Sequence, residues 1–328
     1  MPEIILLTGV AVFLAFNMGA SGIAPSFCSI YGAKFITRGR MFLLFGLFVI
    51  LGAAVGGHKV VKTISGGIIP ARHVTMRVAI VILTSATVSL FMANVLKVPQ
   101  STSQVTVFSL VAAGMYFGGL NLKKFYVLIP AWIILPALSY FLSLYLHKFI
   151  YPPRKENFRL YERIFMQENN LKRITVLMSC YVAFAIGTNN VANVVGPLTA
   201  ANVFSSRMVG MMAIAPLFGI GALLFGRGNL SAFGCDIIPL GIATSVIAGF
   251  VTATLLIGAS LAGIPQSLVQ LNAASIFAVS HVKDGFGATA SNSTTRRAFF
   301  IWLITPVLSF VITFVLLHTC GVVGINFK

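Results

Sequence analysis

Acidic residues are scarce in this chain. Six Asp and Glu stand against 23 Lys and Arg in 328 residues, and charged residues of all kinds make up 9%. A soluble domain carries roughly 25% charged residues, so an ordinary soluble globule is excluded. Cysteine is scarce as well. Cys28, Cys180, Cys235 and Cys320 stand singly in apolar surroundings with no Cys-x-x-Cys pair, which reads as small core residues and not as a disulfide or metal framework. The start, Met1-Pro2-Glu3, lacks the basic segment of a cleaved signal peptide, so the first apolar run is expected to stay in the protein. Extended polar text is also missing, apart from residues 147–173.

Apolar text fills the rest: 58% of residues are hydrophobic and the mean hydropathy is +0.95. Runs of about the length needed to cross a bilayer recur throughout. The chain reads as an all-α polytopic protein of the cell membrane, in contact with lipid. Spans are expected near 4–30, 41–55, 78–96, 99–117 and 125–146, then near 174–203, 208–225, 237–262, 266–281 and 298–318. Residues 57–70 are too polar and too short to cross. The net charge of +17 is spread over the loops, the pattern of a topology signal and not of a nucleic-acid surface. It also draws an anionic substrate toward the pore mouths.

Residues 147–173 hold Lys148, Arg154, Lys155, Arg159, Arg163, Lys172 and Arg173 with Pro152-Pro153, and form a basic linker that the positive-inside rule puts in the cytoplasm. It separates two copies of one unit, 1–146 and 174–328. Ala15-Phe16-Asn17-Met18-Gly19 opens the first copy as Ala183-Phe184-Ala185-Ile186-Gly187 opens the second. Ile68-Ile69-Pro70 returns as Ile237-Ile238-Pro239, and Pro99-Gln100-Ser101 as Pro265-Gln266-Ser267. Trp132, Pro136 and Ser139 return as Trp302, Pro306 and Ser309, so the landmarks keep one order at offsets between 166 and 170. Five crossings per copy is odd, so the second copy is expected upside-down relative to the first, in an inverted-repeat plan with broken helices meeting at mid-membrane. With the linker inside, 15 Lys and Arg fall inside and 8 outside, which sum to the 23 present.

Four polar elements interrupt the apolar text: 17–25, 99–104, 187–197 and 265–270. In the third, Gly187-Thr188-Asn189-Asn190-Val191-Ala192-Asn193-Val194-Val195-Gly196-Pro197 puts three uncharged amides at membrane depth. There a polar side chain faces protein or water and marks a substrate path. Ser21, Gly22 and Pro25 align with Asn189, Asn190 and Asn193. Pro99 before Ser101, Thr102 and Ser103 reads as the tip of a re-entrant hairpin, where a helix N-terminus offers N–H donors to an oxyanion. Alone it also fits a helix cap after a loop. Its return at Pro265-Gln266-Ser267 favours the site reading.

These elements resemble the duplicated Gly-x-Asn-Asp-Val-Ala-Asn and Pro-Val-Ser-Thr-Thr signatures of the inorganic phosphate transporter family, over essentially the whole chain. The segment 15–22 is similar to the sulfate permeases within it. The resemblance implies a secondary active transporter that binds an oxyanion where both elements meet, with protomers paired as homodimers. Position by position it puts Ser21, Ser101, Thr102, Ser103, Asn189, Asn190, Asn193 and Ser267 at the site. It implies no cofactor and a coupling ion that stays open between H+ and Na+.

The departures matter. The family's Asp is Gly22 in one copy and Asn190 in the other. Phosphate near neutral pH keeps a proton that a carboxylate can accept, whereas sulfate offers only acceptors and is repelled by a buried Asp. Sulfate is therefore the expected substrate and phosphate the alternative. Loss of both carboxylates also weakens the case for sodium and favours proton coupling. Asp236 and Asp284 read as interfacial groups. A rival from another class is an intramembrane serine hydrolase, since Gly19-Ala20-Ser21-Gly22 fits Gly-x-Ser-Gly. It needs a base, and His58, His73, His147, His281 and His318 all fall at span ends or in loops; it also leaves the duplication unexplained.

Overall fold

The computed structural model describes residues 2–95, 100–150, 155–236 and 241–319; Pro99, Ile237–Pro239 and Cys320 lie outside these. The first half carries α1 (Pro2–Ala33), α2 (Arg38–Gly56), the short α3 (His58–Lys62), α4 (Met76–Val95), α5 (Thr102–Tyr116) and α6 (Leu122–Ile150). One turn of helix, α7 (Phe158–Tyr161), lies in the linker. The second half carries α8 (Glu168–Asn189), α9 (Ala192–Ala200), α10 (Arg207–Asp236), α11 (Ile242–Leu261), α12 (Leu268–Asp284), α13 (Phe286–Ser291) and α14 (Ser293–Thr319). Among the described residues eight helical stretches are long and apolar enough to cross a membrane: α1, α2, α4, α6, α8 with α9, α10, α11 and α14.

Ten spans were expected, and the two that fall short occupy matching places. α5 has 15 residues and α12 has 17. At 1.5 Å per residue each is about 22–26 Å long, less than the roughly 30 Å hydrocarbon core. The expected breaks occur in one copy only. α8 stops at Asn189 and α9 resumes at Ala192, but α1 runs unbroken through 17–25 with Pro25 inside it. A single proline removes one ladder bond, and tight packing along α1 holds the helix across it. α10 stays helical from Arg207 to Asp236, past the end at 225 expected for its span.

The halves are interleaved. α1 lies along α10, and α2 along α8; α5 packs on α14, and α12 on α6; α4 leans on α1, and α11 on α8. Each contact becomes its partner when the copies are exchanged. Glycine sets the two closest crossings. A Cβ at Gly19 would stand 2.0 Å from Phe218 O, and one at Gly221 would stand 2.4 Å from the Phe16 backbone. In the matching crossing, Cβ atoms at Gly187 and Gly52 would lie 2.1 Å from Val49 O and 1.9 Å from Phe184 O. Small residues let membrane helices approach until backbones touch. The glycine of the repeated Ala-Phe-x-x-Gly is thus a helix-crossing residue in both copies, not a helix breaker. Hydroxyls tie the other pair: Ser139 Oγ donates to Leu271 O at 2.8 Å, and Ser309 Oγ to Val105 O at 2.7 Å. α6 and α14 turn most of their surface outward, while α8 and α9 form the most enclosed stretch.

Candidate functional site

The break between α8 and α9 is the centre of the molecule. Asn190 and Val191 form a two-residue turn, and Asn189 and Asn193 are fully buried on either side. Nothing in an apolar bundle would satisfy these amides except other polar groups. Asn189 Nδ2 donates to Ser260 Oγ at 2.9 Å and to Ile264 O at 3.0 Å, and its Oδ1 accepts from Gln266 N at 2.9 Å. Thr188 Oγ1 donates to Ala185 O at 2.8 Å and lies 3.0 Å from Ser260 Oγ. Asn193 Nδ2 donates to Ser103 Oγ at 3.1 Å, and Ser103 Oγ donates onward to Gln266 O at 3.0 Å. One network therefore joins the broken helix, the end of α11 and the tips of α5 and α12. No charged side chain among the described residues takes part in it.

Two helix N-termini converge here. Ser101 caps α5 by accepting from Gln104 N at 3.2 Å, and Ser267 caps α12 by accepting from Gln270 N at 3.2 Å. Gln270 Nε2 then donates to Gln104 Oε1 at 2.8 Å across the two helices. Trp132 Nε1 on α6 donates to Pro265 O at 2.8 Å and steadies the α12 tip from outside.

Several buried polar atoms are left over. Gln266 is fully buried, and neither Nε2 nor Oε1 has a hydrogen-bond partner. Asn190 Oδ1, Asn193 Oδ1 and Gln270 Oε1 are also unpartnered. The first-copy equivalent of Gln266 behaves differently: Gln100, with its amide turned to satisfy both ends, donates to Ser89 O at 3.2 Å and accepts from Leu90 N at 3.0 Å. Gln100 is thus a brace to α4, while Gln266, whose backbone N–H and carbonyl are held by Asn189 and Ser103, has a carboxamide without a partner among the described residues. An unpartnered buried amide costs about 1–3 kcal/mol, a debt that a ligand in this place removes.

Of the residues expected at the site, Ser103, Asn189 and Asn193 meet in the network, and Ser101 and Ser267 cap the two helices that enter it. Asn190 is buried in the turn, and Thr102 is half-buried at the start of α5. Ser21 is not drawn in: its Oγ donates to Met18 O of its own helix at 3.1 Å. The expectation omitted Ser260, Gln266, Gln270 and Gln104. The glutamines did carry a signal, because 100 and 104 recur as 266 and 270 at one offset. Ser260 is one of five hydroxyl residues along α11, with nothing local to set it apart, and carried none. Among the described residues no three His, Cys, Asp or Glu side chains stand close enough to hold a metal ion.

A multi-pass helical fold closed around an enclosed polar centre, with helices broken or ended at that depth, defines a membrane transport protein. Residues 18–313 match the phosphate transporter family (PHO4), and the chain belongs to that family. It is 31% identical over 307 residues to the sulfate permease CysP of Bacillus subtilis (strain 168), a match spanning 93% of this chain and 85% of that protein. Its fold is similar to the solved structure of a sodium-dependent phosphate transporter, with a TM-score of 0.84 at 21% identity, covering 99% of this chain and 100% of that one.

Proposed function

We propose that this protein is a secondary active permease that imports an inorganic tetrahedral oxyanion, sulfate in the first place, through the cell membrane as a homodimer. Phosphate is the alternative within the same family. The observation that carries the reading is a buried network of amides and hydroxyls, without a carboxylate among the described residues, whose member Gln266 is fully buried with an unpartnered carboxamide. A dianion with no proton to give needs donors on every side. Amides supply them, because a carboxamide can turn its N–H face inward where a carboxylate cannot.

In this reading Gln266, Asn190 and Asn193 touch the anion, with Ser103 and Thr102 beside them. Ser101 and Ser267 hold the two helix ends whose N–H groups point the same way. Asn189 positions the α12 tip, since both its N–H donors and its carbonyl are engaged. Ser21 borders the path from α1. The relative that carries sulfate in its name supports the substrate order. The exchange of contacts between halves supports two inverted repeats, 1–146 and 174–328, about a pseudo-two-fold axis in the membrane plane. The seven Lys and Arg of residues 147–173 support a cytoplasmic linker there.

We read the chain as a non-enzyme without a cofactor, coupled to a proton or sodium gradient. The vacant family Asp positions favour the proton. Radiolabelled sulfate and phosphate uptake in proteoliposomes, each competed by the other and driven in turn by a pH or a sodium gradient, tests all of this. Phosphate uptake left undiminished by excess sulfate overturns the substrate order.

A further inference from the structure

Below the Asn–Gln–Ser network lies a cavity of about 50 Å³ between α1, α8, α11 and α12. Roughly 10–15 Å³ suffices for one water, so this is space for more than a packing defect. Its place in the fold follows from the helices that line it. The wall takes Ser26 and Ser29 from the last third of α1, Ser179 from the first half of α8, Ser245 from the start of α11, and Asn272 from α12. α8 starts directly after the linker, and α12 runs beside α6 toward the linker end. The cavity therefore stands on the linker side of the network. Asn272 is five residues beyond the Ser267 cap, about 7–8 Å at the helical rise.

Its chemistry is uniform. Every lining residue among those described is uncharged, so none of them repels or traps an anion. Ser26 and Ser245 have donated their hydrogens to Gly22 O and Ile242 O within their own helices. Ser179 and Asn272 make no side-chain hydrogen bond within the described residues, and both border the cavity. Pro25, which stands where the second copy has Asn193, lines it too. The first-copy motif thus faces this space, while the second-copy motif makes the network. Lys34, Arg38 and Arg40 follow α1, and Lys172 and Arg173 lie on the first turns of α8, all exposed at the same end.

We infer that this cavity is a second oxyanion site, a transit station in which Ser179 and Asn272 take the anion from the network on its way to the linker side. The inference rests on the oxyanion reading of the network. A neutral pocket with few free donors holds a dianion weakly, which suits release.

Cys28 lines the cavity and serves as reporter. In a variant with Cys180, Cys235 and Cys320 replaced by serine, proteoliposomes of both orientations are treated with a charged, membrane-impermeant methanethiosulfonate. Lys155→Cys, in the same background, marks the linker side. Cys28 is expected to react from that side only, and sulfate is expected to slow the reaction with half-protection at a concentration above that of half-maximal uptake, as a single weaker site requires. Ser179→Cys, in a background with Cys28→Ser added, should behave alike. Asn272→Leu should lower the uptake rate at least fivefold while sulfate binding at equilibrium stays within threefold. Labelling from the opposite side, rates that ignore sulfate, or two unreactive cysteines in a protein that still takes up sulfate each overturn the transit site alone. Absence of sulfate uptake in the unmodified protein instead overturns the reading of the network.

Discussion

Gln270 Nε2 donates to Gln104 Oε1 at 2.8 Å, and the two residues stand 166 positions apart, at the same place in the two copies. The bond clamps the first turns of α5 and α12 together above the network. Gln270→Leu leaves Gln104 Oε1 buried without a donor, which should cost about 1–3 kcal/mol. Gln104→Leu combined with Gln270→Leu removes both ends, so the pair should cost less than the two single changes added together. Thermal inactivation of the four proteins in detergent measures the difference. Strict additivity would mean that the two amides act independently.

Gln266→Val restores the residue of the resembled family signature and removes the free carboxamide. Sulfate affinity should fall by roughly 10- to 150-fold, the range of one hydrogen bond to a charged partner of about 1.5–3 kcal/mol. Gln100→Val is the control. It strips a brace from α4 and should lower stability, with the sulfate-to-phosphate ratio unmoved. Equal effects of both variants on that ratio would remove Gln266 from the anion.

Asn190→Asp places a carboxylate beside a dianion that has no proton to share. The loss of a donor and the added repulsion should cost sulfate on the order of 2–4 kcal/mol, or roughly 30- to 1000-fold in affinity. Phosphate should lose less, since its O–H can donate to the new group. Asn190→Ala removes the amide without adding charge. If both variants weaken sulfate equally and leave the preference unchanged, Asn190 does not face the substrate.

Ser21→Ala should keep uptake within about threefold, because the hydroxyl it removes bonds to its own helix, a contact whose net worth is about 1 kcal/mol or less. Asn193→Ala breaks the link to Ser103 and should cost more than tenfold. A loss above tenfold in Ser21→Ala would return that serine to the anion. Release of a cleaved peptide by the unmodified protein would revive the hydrolase.

Gly187→Ala drives a methyl group to within 2.1 Å of Val49 O, a backbone atom that has no rotamer to yield. Overpacking of this kind costs about 1–3 kcal/mol or more. The variant should lose thermal stability in detergent, and Gly19→Ala should match it at the equivalent crossing. Gly9→Ala, with open space around it, should be silent. A Gly187→Ala protein as stable as the unmodified one would mean that α2 and α8 do not meet as described.

What the sequence made legible was whatever the repeat wrote twice. Eight of the spans and the polar elements at 99–104 and 265–270 declared themselves by recurrence, whereas the shortness of α5 and α12 did not. Local chemistry misled where one residue type serves two ends. Gly19 and Gly187 stand beside a polar motif that breaks its helix in one copy only, yet both sit at helix crossings, because glycine suits a break and a crossing alike and only a neighbour decides. Pro25 read as a break and is carried inside α1, since packing from α10 outweighs one lost bond. Ser260 was beyond reach: its importance comes from Asn189, 71 positions away, and no local pattern announces that meeting.

The interleaving of the halves has a consequence for how the chain is made. α5 emerges early, but the hydroxyl that binds Val105 O belongs to Ser309, 204 residues later. At roughly 5–20 residues per second, the ribosome needs about 10–40 s to supply it. Through that interval a short helix with exposed polar caps sits in or at the membrane with its permanent partner still unwritten. Biogenesis must shelter α5 until the last span arrives, and a chain halted before α14 is a ready substrate for membrane quality control.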